Sequence, residues 1–234
     1  MENELTVREV VEGTIAKVQE NMQMLVVFVL TLTVLGTALQ GGFFFLGDGD
    51  IAGFEIPSFV LTAFGISAGI AGIALLIVAI VASYLLWELL LRRAGYYPPD
   101  SERRFFRYVA QAILIGIGTG LGFMLLVIPG LIFGARWAAA PAFLIANKRG
   151  TIESMGDSWD MVSGNTTPVV LAYLTGVAII VVLGLVLNIT GFGLVSIFFE
   201  NLVSNIGTVL TIAMGVFLYD RLHGRSETLS QVFD

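Results

Sequence analysis

Long apolar runs alternate with short polar stretches along almost the whole chain. About 20 apolar residues in a helix are enough to cross the ~30 Å hydrocarbon core of a bilayer. The runs therefore predict a transmembrane domain over residues 22–219 with about six spans, at 22–39, 69–91, 108–127, 131–146, 168–187 and 196–219. We expect an all-α polytopic membrane protein.

Two of the apolar runs are longer than one span and need dividing. The run Pro57–Leu91 exceeds the length of one centred span, so its first part, Pro57–Ser67, is expected to be an interfacial or protruding segment. The later run is interrupted by Pro129 and Gly130. Because proline lacks a backbone donor and glycine permits a turn, this pair is expected to separate the third span from the fourth.

Two polar segments show helical periodicity and predict amphipathic helices on the cytoplasmic side. The first, residues 1–21, contains the capping box formed by Thr6 and Glu9, and its apolar residues recur on one stripe. The second, residues 151–163, has an apolar face at the same spacing. That face consists of Ile152, Met155, Trp159 and Val162.

The other face of the second amphipathic helix is acidic. It carries Glu153, Asp157 and Asp160, and like charges at these spacings repel by a few tenths of a kcal/mol unless a cation lies among them. We hypothesise that this face docks on an arginine of the loop between the second and third spans. The candidates are Arg103, Arg104 and Arg107. The alternative is an ordinary solvated face.

The lysines and arginines predict the orientation. Of the 12 Lys and Arg residues, all but Arg136 lie before the first span, in alternate loops or after the last span. By the positive-inside rule both termini, including the tail 220–234, are cytoplasmic, and the expected location is the inner (cytoplasmic) membrane. The segment 1–21 is acidic and is not a signal peptide, so the first span is expected to remain in the mature protein.

Composition narrows the classes of function. The chain is 56% hydrophobic and 13% charged, which is about half the usual charged fraction and excludes a soluble enzyme or a nucleic-acid binder. It has no cysteine and one histidine, His223, which is expected to be solvated. These residues provide no disulfide, metal set, cofactor site or catalytic constellation, so we expect a non-enzyme without a cofactor.

Arg136 is the one cation predicted inside the membrane, near the outer end of the fourth span. A charge there is costly and normally faces a partner or a wet cavity. Glu200, near the outer end of the last span, is the candidate partner. The pair would either hold two spans together or take part in binding a substrate or an ion.

The last span also carries a polar stripe, and other spans carry pairs of glycines. The stripe either joins helices through hydrogen bonds or lines a polar path; it comprises Asn201, Ser204, Asn205, Thr208 and Thr211. Glycines four residues apart indicate close helix packing, within the chain or against a second copy. These pairs are Gly65 with Gly69, Gly116 with Gly120, and Gly118 with Gly122.

One stretch of the chain combines several of these features in a fixed order: Pro129, Gly130, Arg136, Glu153, Ser158 and Trp159. It resembles the core signature of the glycerophosphoryl diester phosphodiesterase membrane-domain family and its YciC-like bacterial inner-membrane relatives. The resemblance implies six or so spans, a Pro-Gly turn and a short amphipathic helix before the next span. Some members carry a catalytic barrel; here the matching positions are structural, and no such activity is expected.

The expected function is that of a non-enzymatic integral membrane protein, namely a scaffold, an accessory subunit or an envelope or lipid-homeostasis factor. Its expected partners are membrane lipids, together with a larger membrane complex or a second copy joined through the glycine faces, and no nucleic acid. The alternative is a small transporter or channel subunit, in which Arg136, Glu200 and the polar stripe would line one cavity.

Overall fold

The computed structural model describes residues 5–46, 50–51, 54–55, 58–96, 103–188 and 193–233. Within those ranges the chain is almost entirely helical. The helices are α1 Val7–Glu20, α2 Met22–Leu46, α3 Ser58–Arg93, α4 Phe105–Leu125, α5 Val127–Arg136, α6 Ala140–Ala146, α7 Thr151–Ser163, α8 Thr166–Asn188 and α9 Leu194–Phe233. Two short strands, β1 Asp50–Ile51 and β2 Phe54–Glu55, pair antiparallel between α2 and α3.

Six segments are long and apolar enough to cross a membrane. They cover residues 22–41, 69–93, 105–125, 127–146, 166–187 and 194–223. These segments confirm the prediction of an all-α polytopic membrane protein, and each predicted span overlaps one of them. Each of the other segments lies within one helix, whereas the fourth comprises α5 and α6 with a turn between them.

Two helices continue beyond the ends of their predicted spans. The helix α3 begins at Ser58, so the residues predicted to form a separate interfacial segment belong to the same helix as the second span. The helix α9 runs to Phe233 and includes most of the predicted tail. Hydropathy predicts the limits of the segment that lies in the hydrocarbon core. The helix itself can continue beyond those limits until its backbone hydrogen bonds stop.

The chain turns between α4 and α5 at Leu126, three residues before the predicted turn. Leu126 has an extended backbone, with φ −160° and ψ 149°. Pro129 lies in the first turn of α5, where a backbone N–H would have no partner in the helix. A Cβ on Gly122 would lie 2.8 Å from the Cα of Gly130, so Gly130 serves the close approach of the two helices.

The described residues form two compact units. The first comprises residues 5–22, 83–96, 103–178 and 208–233; the second comprises residues 23–46, 50–51, 54–55, 58–82, 179–188 and 193–207. The first unit contains α1 and α4–α7, and α3, α8 and α9 contribute residues to both units. The buried interior of the first unit is rich in aromatic and aliphatic side chains, including Tyr84, Trp87, Leu91, Leu144, Val216, Leu218 and Tyr219.

Both helices predicted outside the spans are present in the first unit. The helix α1 begins with the predicted capping box, in which the Glu9 N–H donates to Thr6 Oγ1 over 3.2 Å and the Thr6 N–H donates to Glu9 Oε2 over 2.8 Å. The helix α7 buries a face shifted from the predicted one. It comprises Ser154, Met155, Ser158 and Val162, whereas Ile152 is exposed.

The glycines of α4 separate into one packed pair and one open pair. A Cβ on Gly118 would collide with the Trp137 ring, and Gly122 lies against Gly130. A Cβ on Gly116 or Gly120 would meet no atom of the described chain within 4 Å. The first pair therefore packs α4 on the same chain, while the second packs on none of the described residues. The surroundings of Gly65 lie outside the described part of the structure.

Replacing Gly122 by alanine should destabilise the protein by about 1–3 kcal/mol, because the added methyl group overpacks against backbone that cannot move aside. The matched control is Gly120→Ala, which faces open space and introduces a better helix former, so stability should hold or rise. The thermal unfolding midpoint of both variants in detergent measures the difference. Equal loss in the two variants would contradict the assigned packing.

Candidate functional site

Arg136 is the last residue of α5, and the helix stops there. The residues 137–139 form a turn before α6 begins at Ala140, so the predicted fourth span is a broken helix. Helix ends leave unpaired carbonyl groups, and hydrocarbon cannot supply them with donors. The side chains near Arg136 therefore need to satisfy both a cation and a helix end.

The Arg136 guanidinium binds the first residue of α8. Its Nε and Nη2 groups donate to Thr166 Oγ1 over 3.1 and 2.8 Å. The same Thr166 hydroxyl points its own donor toward the carbonyls of Val162 and Ser163, at 3.2 and 3.1 Å. Those carbonyls are at the C-terminal end of α7, where the helix dipole is negative. Thr166 therefore links the arginine to the end of α7.

A face of the guanidinium also lies against an aromatic ring. Arg136 Cζ is 4.4 Å from the centroid of the Trp159 ring of α7, which is a cation–π contact. Trp137 stacks on Phe133 at a centroid distance of 5.2 Å, and both lie about 6 Å from Trp159, at 6.0 and 5.9 Å. The three rings form one aromatic group, and Trp159 is the member that contacts the guanidinium.

The backbone at the end of α5 is also satisfied. Ser158 Oγ of α7 donates to the Arg136 carbonyl over 2.7 Å. Arg136 is half-buried and forms no ion pair with a carboxylate among the described residues. Its charge is instead compensated by a hydroxyl group, a π face and the carbonyl ends of two helices. We call Phe133, Arg136, Trp137, Ser158, Trp159 and Thr166 the Arg136 cluster.

Glu200 has different surroundings, and its predicted pairing with Arg136 stays a prediction. It belongs to the second unit, where it is exposed and accepts a long hydrogen bond of 3.5 Å from Ser196 Oγ. Beside it, a cavity of about 280 Å³ lies between α8 and α9. Apart from Glu200 and Ser204, that cavity is lined by glycine and apolar side chains, including Ile180, Leu187, Phe199 and Val203.

Two amides of the polar stripe bind α2 within the second unit. Asn205 Nδ2 donates to Thr33 Oγ1, which is fully buried, over 3.2 Å. Asn201 Nδ2 donates to the Ile197 carbonyl over 2.8 Å and lies 3.5 Å from Gln40 Oε1. Ser204 lines the cavity beside Glu200, and Thr208 belongs to the first unit. The amide part of the stripe therefore joins helices.

The described residues contain no group of three or more acids or histidines that could hold a metal ion. No family model, curated protein or solved structure matches this chain. The resemblance described above therefore rests on its own residues. Three of them, Arg136, Ser158 and Trp159, contact one another in the Arg136 cluster.

The acidic face of α7 docks on an arginine, but on a different one from those predicted. Arg149, two residues before the helix, lies 2.6 Å from Glu153 Oε1 and 3.0 Å from Asp157 Oδ2. Arg104 instead donates from Nη1 to the carbonyls of Lys148 and Arg149, the latter over 2.9 Å. The predicted contact of the α7 acids with Arg103, Arg104 or Arg107 is therefore replaced by one with Arg149, and Arg104 binds the connection before α7 through its backbone carbonyls.

Glu153 also caps the helix that carries it. Its Oε2 accepts the Gly150 N–H over 3.1 Å. This hydrogen bond and the positive charge of Arg149 hold the pKa of Glu153 below its ordinary value. The cap is therefore fully formed above the ordinary pKa of a glutamate, and it is lost only as the pH falls through the lowered value.

Several buried polar contacts had no separate signal in the sequence. Gln111 of α4 is fully buried and donates to Ser154 Oγ over 2.6 Å. His223 is half-buried, with its Nε2 3.2 Å from Asn147 Nδ2 and its ring stacked 4.8 Å from that of Tyr219, so the expectation of a solvated histidine was wrong. For Gln111, its position as a polar residue within an apolar span was the only indication in the sequence of a buried contact.

Removing the Thr166 hydroxyl group should lower the free energy of unfolding, because the hydrogen bonds from Arg136 are lost. In a double-mutant cycle, Thr166→Val and Arg136→Gln should couple by about 1.5–3 kcal/mol, the range for hydrogen bonds to a charged group. Unfolding in mixed micelles measures the coupling. The control is Thr175→Val on the same helix, because Thr175 donates to its own Leu171 carbonyl. Additive effects of Thr166→Val and Arg136→Gln would contradict the assigned contact.

A second cycle separates the two arginines near α7. Asp157→Asn should couple with Arg149→Gln by about 0.2–1 kcal/mol, a range suited to a half-exposed ion pair. With Arg104→Gln, the effects should add, because Arg104 binds carbonyl oxygens rather than the carboxylate. Unfolding free energies of the single and double variants measure both terms. Coupling confined to Arg104 would restore the contact first hypothesised.

Proposed function

We propose that the chain is a non-enzymatic integral membrane protein that acts through lipid or protein contacts, as an accessory subunit or an envelope or lipid-homeostasis factor. The observation that carries the proposal is the set of partners around Arg136. A half-buried arginine that served a transported anion would need donors directed toward an open path. Here the guanidinium donates to Thr166 and lies against the Trp159 ring, and these contacts support a packing role.

The polar stripe of α9 supports the same proposal. Asn205 is engaged with a fully buried threonine of α2, and Asn201 is bonded to its own helix. Interhelical hydrogen bonds of this kind are typical of helix association in membranes. An amide that is committed to a neighbouring helix contributes less to a hydrated path.

A small transporter or channel subunit is the second candidate, and one observation favours it. The cavity of about 280 Å³ between α8 and α9 has Glu200 and Ser204 on its wall. A carboxylate beside a cavity in a membrane-spanning region is a common feature of ion pathways. Against this, the remaining lining is apolar or glycine, which suits an acyl chain better than a hydrated ion.

The proposed location is the inner (cytoplasmic) membrane with both termini in the cytoplasm, supported by the bias of Lys and Arg along the chain. The resemblance to the glycerophosphoryl diester phosphodiesterase membrane-domain family and its YciC-like relatives agrees with a bacterial inner-membrane protein. It also agrees with a role in membrane organisation. That the chain belongs to this family is part of the proposal.

The proposal is tested by the species that the protein retains and by its effect on permeability. Native mass spectrometry of protein extracted from its own membranes in a mild detergent should find bound phospholipid or a stoichiometric partner. Liposomes that contain the purified protein should be no more permeable to protons, K⁺ and Cl⁻ than liposomes with Glu200→Gln. The Arg8→Gln variant is the control for preparation, because Arg8 is exposed and paired with Glu12 on α1.

The transport alternative gives the opposite result. Ion flux through the wild type that both Glu200→Gln and Ser204→Ala abolish, with an unchanged unfolding midpoint, would overturn the proposal in favour of a pathway at the α8–α9 cavity. A clean protein without lipid or partner and without flux would also contradict it.

A further inference from the structure

The N-terminal end of α4 and the segment before α7 together present an excess of positive charge. Arg103, Arg107 and Lys148 are exposed, and none of them forms an ion pair with a carboxylate among the described residues. Of the acids in the described residues near these cations, Glu153 and Asp157 are engaged by Arg149. Three cations on this surface therefore remain without neutralisation by the described chain.

These cations are held in fixed segments. Arg104 joins the start of α4 to the α6–α7 connection through the carbonyls of Lys148 and Arg149. Its own N–H donates to the Tyr84 hydroxyl of α3 over 3.1 Å. Thr151 Oγ1 donates to the Arg107 carbonyl over 3.3 Å, and Lys148 has a left-handed backbone with φ 56°. These contacts hold the backbone segments that carry the separate cations next to one another, so binding does not have to order the backbone.

Two apolar side chains are exposed in the same region. Phe106, between Arg103 and Arg107 in the chain, is 86% exposed, and Ile152, next to Thr151, is 68% exposed. In water such exposure would be unfavourable, whereas in the interfacial layer of a bilayer an apolar side chain beside a cation is stabilised. We call Arg103, Phe106, Arg107, Lys148 and Ile152 the basic corner.

The chemistry of the basic corner specifies its occupant. The guanidinium groups of Arg103 and Arg107 can each donate two parallel hydrogen bonds to phosphate oxygens, and the Lys148 ammonium group adds a further positive charge. A soluble anion would contact only the cations, whereas a phospholipid would also place its acyl region against Phe106 and Ile152. An anionic headgroup is favoured over a zwitterionic one, because each additional cation near a surface contributes about fivefold to binding of anionic lipid.

We propose that the basic corner is a binding site for the headgroups of anionic phospholipids. This inference rests on the proposed function, because it names the lipid class that a non-enzymatic membrane protein of this kind would retain. It goes beyond it by assigning the binding to one surface of the first unit.

The test uses the full-length protein in nanodiscs that contain equal amounts of phosphatidylglycerol and phosphatidylcholine. Native mass spectrometry after release into detergent should show retained phosphatidylglycerol in excess. The triple variant Arg103→Gln, Arg107→Gln, Lys148→Gln should lose that preference, by on the order of 100-fold for three cations. The single variant Arg8→Gln should keep it, because Arg8 is exposed but paired with Glu12.

Two further experiments distinguish a lipid from a soluble anion and provide a test if the triple variant does not fold. Replacing Phe106 and Ile152 by alanine should weaken retention of phosphatidylglycerol, and millimolar glycerol phosphate or inorganic phosphate should not compete. Equal competition by either would mean a soluble-anion site and overturn the lipid assignment. If the triple variant does not fold, Arg103→Gln and Lys148→Gln taken singly should each lower retention about fivefold, and no change in either overturns the proposal.

The outcomes also separate this inference from the function on which it rests. Lipid retained without preference, and equally in all variants, removes the basic corner as the site while leaving a lipid-binding membrane protein. Ion flux that depends on Glu200 removes the proposed function, whatever the lipid preference.

Discussion

The hydrogen bonds around Arg136 stabilise the place where a membrane-crossing segment is interrupted. The helix α5 ends there, and the bilayer interior has no water to satisfy its last carbonyl groups. Ser158 supplies a donor to one carbonyl, and Thr166 connects the guanidinium to the end of α7. The helices α7 and α8 bring these two hydroxyl groups to the break, so a helix outside the spans packs against a segment long and apolar enough to cross the membrane.

The spans followed from the sequence because the bilayer imposes one length and one polarity on every crossing. The same physics explains which boundaries could not be predicted. The continuation of α9 past Tyr219 depends on backbone hydrogen bonds that polar residues continue as readily as apolar ones, and hydropathy does not record them. The turn at Leu126 depends on how closely α4 and α5 pack, and that approach involves Gly122 and Gly130 in different helices.

The candidate site was predictable only in part, for a similar reason. Arg136 stands out in any apolar run because a charge there is expensive. Its partner Thr166 does not stand out, since a threonine at a helix start usually serves its own helix. The acids of α7 indicated a cationic partner but not which one, because the choice of Arg149 over Arg104 depends on how the connection before α7 is folded. Pairings between elements require the tertiary structure.

Polar groups in this protein differ in whether the described chain satisfies them. The Arg136 guanidinium and the amides of Asn201 and Asn205 have partners, so their cost of burial is compensated within the fold. The cations of the basic corner have no carboxylate partner there, yet they lie in fixed segments beside exposed apolar side chains. In the proposed lipid site, these cations would pair with the phosphate of a bound lipid. At a membrane surface the abundant counterion is a lipid phosphate, so the proposed site would need no enclosed cavity.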